Sequence, residues 1–288
     1  MEILTFKNLE LRRSWMLPQY KELRLLFLGD LQIGSETDIR RLKSYVSFAR
    51  RIGAYVIGMG DYIDVHSPSM RKLVATMVAQ AYDSTVEAMD VAGKKYVDAA
   101  YEILKPLEGR FLGLTRGHHW CQFSGDRGDS TTVLADMLKT RNTGDCAIHN
   151  LVFEEGDKSL VCKIWTHHGT GSGMTASSAT ARLEHVTKAF FSHIYAMGHQ
   201  TKKGVAVIPW IDTMLGEDDR YHMQGMNRYI VATGGYSKGY VEGSVDPWGN
   251  PSGTYVEKAM MIPTALGSPL AMIRPMFDMG RIDINVSV

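Results

Sequence analysis

Two stretches, LRLLFLGDLQIG (residues 23–34) and AYVIGMGDYIDV (residues 54–65), carry the strongest fold signal in the chain. Each begins as a short apolar run, typical of a buried strand, and each run is stopped by a Gly-Asp pair. Between them, apolar residues repeat at helical spacing over residues 39–52. This strand–helix–strand order predicts a parallel unit whose two carboxyl ends carry Asp30 and Asp61.

Three later runs place histidines at the ends of predicted strands in the same way. They are TRGHHW (residues 115–120), WTHHGTG (165–171) and MGHQTK (197–202). Carboxylate and imidazole groups delivered from successive strand ends are what a hydrolytic metal centre requires. The five runs together therefore indicate such a centre, although any one of them alone would carry little weight.

Composition excludes several other classes of protein. The chain has 288 residues, 44% of them hydrophobic, and its 32 basic and 31 acidic residues leave a formal charge of +1. No overall field favours a polyanion, which argues against broad, non-specific nucleic-acid binding while leaving a local basic groove open. The three cysteines have no CxxC spacing, which indicates a reducing compartment.

Membrane and domain signals are also informative. No stretch approaches the roughly 20 apolar residues that span a bilayer, so we expect a cytoplasmic protein without a membrane partner. We find no internal repeat, low-complexity tract or linker. We therefore predict a single α/β domain over residues 1–288, with a helical insertion at about 66–105, a hairpin over 151–166, and a late strand over 255–261.

The order Asp-x-Gln, Gly-Asp-x-x-Asp, Gly-His-His, His-His-Gly, Gly-His-x-Thr, over residues 24–201, resembles the calcineurin-like metallophosphoesterase superfamily. The pattern there is D-x-H, G-D-x-x-D, G-N-H-[D/E], H, G-H-x-H. The resemblance implies a β-sandwich flanked by helices, with four layers in the order α/β/β/α. It also implies two metal ions at the carboxyl ends of the strands.

The same resemblance implies a set of metal ligands. They are Asp30, Gln32, Asp61, His118, His167 and His199. Asp61 would bridge both ions, since one anion offsets the repulsion of two dications about 3.5–4 Å apart. His118 replaces the family's Asn, so the second site would hold three imidazoles, which suit Zn²⁺, Mn²⁺ or Fe²⁺.

The first metal site departs from the family at two positions. Gln32 and Thr201 stand where the family has histidines. Neutral oxygen donors favour a harder ion, such as Mn²⁺ or Mg²⁺, and bind it less tightly. We therefore expect one or two divalent ions per chain, Mn²⁺ preferred, with the first site filled only with substrate or not at all.

Two further assignments rest on the resemblance. His119 corresponds to the family histidine that protonates the leaving oxygen, and an imidazole titrating near about pH 6.5 suits this role. Trp120 replaces its usual acidic neighbour, which leaves Asp64 as the candidate to orient His119. Strand alternation lets only one of His167 and His168 face the metals. We favour His167, with His168 facing substrate or packing.

The resemblance implies a metal-dependent phosphoesterase that attacks phosphorus with a metal-activated water. A phosphodiester, in nucleic acid or a small or cyclic nucleotide, is the expected substrate, as a matter of fold-level analogy. The alternative is a catalytically degenerate member that serves as a binding scaffold. The added imidazole of His118 beside His119 argues against random decay of the site.

Overall fold

Strand β2 (Leu23–Leu28) shows how the sequence builds a layered fold. Leu25 and Phe27 point to one side of the strand, Leu26 and Leu28 point to the other, and all four are buried. A strand covered on both faces is expected in the interior of a parallel sheet. The two apolar faces of β2 therefore require a layer of structure on each side.

The computed structural model describes residues 7–12, 22–34, 36–65, 82–171, 173, 175, 177–216, 218–246 and 248–288. Its strands, besides β2, are β1 (Lys7–Arg12), β3 (Tyr55–Gly58), β4 (Phe111–Thr115), β5 (Asn142–Gly144), β6 (Cys146–Glu155), β7 (Lys158–His167), β8 (Ile194–Met197), β9 (Lys203–Leu215), β10 (Tyr221–Thr233), β11 (Leu270–Met276) and β12 (Arg281–Ser287). Its α-helices are α1 (Ile39–Arg51), α2 (Asp83–Leu104), α3 (Ser130–Met137), α4 (Ser178–Val186) and α5 (Tyr255–Lys258). Short 3₁₀ turns lie at Lys105–Leu107, Gly125–Arg127 and Phe277–Met279.

The described strands form two six-stranded sheets. One has the order β1-β6-β7-β8-β10-β9 and the other the order β12-β11-β2-β3-β4-β5. Strands β2, β3 and β4 are parallel in the second sheet, and β7, β8 and β10 are parallel in the first. Parallel strands bring their carboxyl ends to one edge of each sheet, which is where a site is expected in such folds.

Three apolar clusters define the layers. One lies between the sheets and joins residues such as Phe27 and Ile57 to Ile164 and Val231. Another packs α1, α2 and α3 on the outer face of the second sheet, and the last packs α4 on the outer face of the first. The order is α/β/β/α, as predicted.

Some of the predicted helices and strands are confirmed and one is wrong. Helix α1 begins as expected, with the Asp38 side chain accepting a hydrogen bond from the Arg41 amide. In the predicted insertion, residues 66–81 lie outside the described residues and α2 accounts for the rest. The strand predicted over 255–261 is wrong, because α5 occupies its start. Among the described residues, no helix is long and apolar enough to cross a membrane.

Candidate metal centre

Five predicted residues come together where the two sheets meet at their strand ends. Asp30 follows β2, Asp61 follows β3, and His118 lies just beyond β4. From the other sheet, His168 follows β7 and His199 lies just beyond β8. The carboxyl ends of parallel strands therefore supply every one of these side chains.

The backbone at this edge is strained. Asp30, Gln32, Asp61, His199 and Thr201 all have positive φ, between +45° and +66°. Side chains other than glycine rarely adopt this conformation, and such strain clusters at functional sites. The strained loops are tied across the sheets, since the His199 amide donates to Asp30 Oδ2 at 3.0 Å.

Asp61 is fixed by its neighbours on the β4 side. The amides of His118 and His119 donate to its Oδ1 at 2.5 and 2.8 Å. Gly117 makes this possible, because a Cβ there would collide with Asp61 Oδ1. The other carboxylate oxygen of Asp61, Oδ2, lies 3.1 Å from His168 Nε2. Asp61 is thus held with one oxygen on the backbone and the other facing the imidazoles.

His168 is oriented by the backbone of the opposite sheet. Its Nδ1 lies 2.7 Å from the Met59 carbonyl oxygen and donates to it, so that Nε2 faces the carboxylates. The ring is 2% exposed. A carbonyl on the far nitrogen is the usual device that fixes the tautomer of a metal-binding histidine.

Two groups of side chains offer ligand atoms within 4.8 Å of one another: His118 with His168 and His199, and Asp30 with Asp61 and His168. His118 Nδ1 and His199 Nδ1 are only 3.1 Å apart. Within the described residues, Asp30 Oδ1 is buried without a hydrogen-bond partner, and His168 Nε2 is buried with the Asp61 carboxylate 3.1 Å away. A buried carboxylate oxygen is rarely left unsatisfied, and a cation would satisfy it. The donor set therefore fits a divalent transition metal.

The charges in the cluster are strongly coupled. Burial raises the pKa of Asp30 to about 7, against the opposing charge of His168. Burial acts on Asp61 in the same direction, but His168 outweighs it and holds the pKa of that carboxyl well below its usual range. Burial lowers the pKa of His168, yet the charge of Asp61 raises it to about 9. Burial and the charge of His168 lower the pKa of His199 to about 4. His199 is therefore neutral, as a ligand must be.

The structure places His168, and not the favoured His167, in this cluster. His167 stacks on Trp165, with ring centroids 5.6 Å apart, and its Nδ1 accepts a hydrogen bond from the Gly169 amide. Alternation along β7 is the cause, because Cys162 and Ile164 pack between the sheets and His168, an even number of residues further on, falls on the same face. His168, rather than His167, is therefore the candidate ligand.

His119 lies beside the cluster with its two ring nitrogens engaged differently. Nδ1 is 2.8 Å from Asp64 Oδ1, and Nε2 is 3.9 Å from Asp61 Oδ2. The structure thus pairs His119 with the carboxylate proposed to orient it. Trp120 faces elsewhere, with the Arg116 guanidinium 5.0 Å above its ring.

Gln32 and Thr201 lie at this edge but outside both ligand groups. Gln32 Oε1 accepts a hydrogen bond of 2.5 Å from Ser237 Oγ. Thr201 turns its methyl carbon toward Gly235, 3.2 Å from where a Cβ would stand there. Sequence reasoning missed Ser237. The signal was available, since Gly234-Gly235-Tyr236-Ser237 ends β10 as the other motifs end their strands.

The layered architecture is the one that the motif resemblance to the calcineurin-like metallophosphoesterases implies. Comparison with models of protein families finds no match, and comparison with curated proteins finds none either.

Several solved structures are similar to the chain at low identity. One is a conserved uncharacterized protein from Streptococcus pneumoniae, described as a predicted phosphoesterase: identity 11%, coverage 88% of this chain and 82% of that chain, TM-score 0.31. Another is Chaetomium thermophilum Vps29: identity 11%, coverage 92% and 96%, TM-score 0.33. A metallophosphoesterase from Sphaerobacter thermophilus has identity 15%, coverage 92% and 89%, and TM-score 0.28.

Proposed function

We propose that the protein is a metal-dependent phosphoesterase that hydrolyses a phosphodiester. The observation that carries the proposal is the convergence of three imidazoles and two carboxylates at the strand ends, with one buried carboxylate oxygen, Asp30 Oδ1, that has no hydrogen-bond partner among the described residues. A purely structural cluster would satisfy that atom within the protein.

The residues that would hold the ion are His118, His168 and His199, together with Asp61, whose Oδ2 lies 3.1 Å from the shared His168, and with Asp30 alongside. Three imidazoles and a carboxylate suit Mn²⁺, Zn²⁺ or Fe²⁺, of which we propose Mn²⁺. When bound, a divalent cation supplies Lewis-acid polarisation of the phosphoryl group and lowers the pKa of water.

His119 is the general acid of the proposed reaction. Water attacks phosphorus and loses a proton to solvent as the new bond forms, the bond between phosphorus and the leaving oxygen breaks, and His119 Nε2 passes its proton to that oxygen and is reprotonated from solvent. Asp64, 2.8 Å from Nδ1, holds the ring so that Nε2 faces the cluster. Nε2 is already on the side of Asp61, at 3.9 Å from Oδ2.

The proposed substrate class is a phosphodiester of a nucleic acid or a nucleotide. It follows from the motif resemblance, and comparing a diester with a monoester tests it directly. An aryl phosphodiester and an aryl phosphomonoester with the same leaving group provide that comparison, since they differ only in the charge and substitution of phosphorus.

The test is hydrolysis of both esters by protein stripped with a chelator and then supplied with Mn²⁺. We expect Mn²⁺ to raise hydrolysis, and the diester to be the better substrate. Activity in excess chelator equal to that in Mn²⁺ would reject the proposal. Mn²⁺ that binds without supporting hydrolysis of either ester would instead favour the binding-scaffold alternative.

A further inference from the structure

We infer that this centre binds one divalent cation tightly per chain, and that Gln32 and Ser237 form a hydrogen-bonded pair in the place of a second ion's ligands. The inference rests on the proposed function for the presence of a metal. The motif resemblance implies two metal ions per chain. The residues of this chain reduce that number to one tightly bound ion.

His168 belongs to both ligand groups. Its Nδ1 is committed to the Met59 carbonyl at 2.7 Å, so Nε2 is its single nitrogen for a metal. A neutral imidazole nitrogen has one lone pair and binds one ion. The two groups therefore cannot each hold an ion through His168, and an ion bound by His168 in one group leaves the other group without that imidazole.

A second ion would need ligands that exclude His168. Asp30 and Asp61 would remain, with Gln32 and Thr201 in place of the two histidines. Gln32 Oε1 already accepts a 2.5 Å hydrogen bond from Ser237 Oγ, which takes one of its two lone pairs and weakens it as a metal ligand, and Thr201 offers only a neutral hydroxyl. Two carboxylates without an imidazole hold a transition metal weakly, so the second position is not a tight site.

Backbone contacts hold the segments that carry Ser237 and Gln32 close together. Ser237 forms an antiparallel bridge with Thr37, and the Asp38 amide donates to the Tyr236 carbonyl at 2.8 Å. The Thr37 hydroxyl in turn donates a hydrogen bond to the backbone carbonyl oxygen of Gln32 at 2.7 Å. The loop that carries Gln32 and the segment that carries Ser237 are therefore joined in register.

The test is metal counting together with electron paramagnetic resonance of Mn²⁺. Stripped wild-type protein is loaded with excess Mn²⁺, passed through a desalting column and analysed for manganese. We expect one ion per chain and the spectrum of an isolated Mn²⁺. Two retained ions, or an exchange-coupled spectrum of a pair about 3.5–4 Å apart, would overturn the inference. Protein that retains no ion would contradict the proposed function as well as this inference. Two retained ions would contradict the inference alone, so the two failures give different results.

Two variants sharpen the test. Gln32→His combined with Thr201→His restores the family pattern and should retain two ions with a coupled spectrum, which shows that the method detects a pair. Ser237→Ala removes the hydrogen bond to the side-chain oxygen Oε1 of Gln32. The affinity of the second, weaker Mn²⁺ binding event in a titration should therefore rise by about fivefold. Ser244→Ala, on an exposed loop, is the matched control. An unchanged second event in Ser237→Ala would overturn the role given to this hydrogen bond.

Discussion

His119 Nδ1 lies 2.8 Å from Asp64 Oδ1, while Nε2 of the same ring lies 3.9 Å from Asp61 Oδ2. One imidazole thus connects an orienting carboxylate to the ligand cluster. An imidazole held in this way can present its proton in a fixed direction, which separates its role from that of the rings that make up the cluster.

Removing the His119 ring should reduce chemistry and leave metal binding intact. We expect His119→Ala to lower the turnover of an aryl phosphodiester by about 100-fold or more, as loss of an acid-base group does. Metal content, measured on the same samples, should stay near that of the wild type because His119 is in neither ligand group. Loss of the metal with turnover would instead make His119 a ligand.

His167 and His168 provide a matched pair of substitutions on adjacent residues. His168→Ala should deplete the metal, because His168 belongs to both ligand groups. His167→Ala should retain it, because that ring stacks on Trp165 on the opposite face of β7. Manganese analysis after desalting distinguishes them. The reverse result would restore the original preference for His167.

Gly117 gives a prediction about space rather than charge. A Cβ there would collide with the carboxylate of Asp61, which the neighbouring amides hold in place. Gly117→Ala should therefore displace Asp61 and weaken metal affinity by about 10-fold or more. Gly225→Ala is the control, since nothing lies within 4 Å of a Cβ there. Equal Mn²⁺ affinity in the two variants would contradict the account of how Asp61 is held.

His149 makes stability depend on pH away from the site. It is fully buried, and burial together with the charge of Arg141 lowers its pKa from 6.5 to about 4. Between these values the unfolded chain binds a proton that the folded protein does not, so the free energy of unfolding falls as pH falls through this window. The full loss amounts to about 3 kcal/mol. Above pH 6.5 His149 contributes no slope.

Urea unfolding between pH 7 and pH 4 measures this effect. His149→Gln should reduce the slope of the free energy of unfolding against pH. Some slope should remain, because burial also lowers the pKa of His193 to about 4. An identical slope in the wild type and the variant would show that His149 does not stay neutral in the folded protein.

The site was predictable from sequence to the extent that it lies at strand ends. Apolar runs stopped by Gly-Asp or followed by His mark the carboxyl ends of strands, and parallel pairing then brings Asp30, Asp61, His118 and His199 together. Side-chain direction was harder to predict. Lys163 on β7 indicates the direction, because a lysine in a strand is expected to face solvent. His167, four residues further on, lies on the same outward face as Lys163.

The late part of the chain shows where pattern reasoning fails. The apolar residues over 255–261 suggested a strand, but Tyr255 is 69% exposed and Met260 80% exposed, and a strand prediction from apolar content assumes burial. Strand β11 was not predicted, because Pro269, just before it, and Pro275, near its end, resemble turn signals. The hydrogen bond from Ser237 to Gln32 spans 205 positions in sequence, which no local pattern reveals.

The most direct test of the central claim is the hydrolysis rate of an aryl phosphodiester measured against the number of Mn²⁺ ions bound per chain. We predict that stripped protein is inactive, and that the rate rises in proportion to bound metal as the position shared by Asp61, His118, His168 and His199 fills. A rate that is the same in stripped and loaded protein would contradict the account.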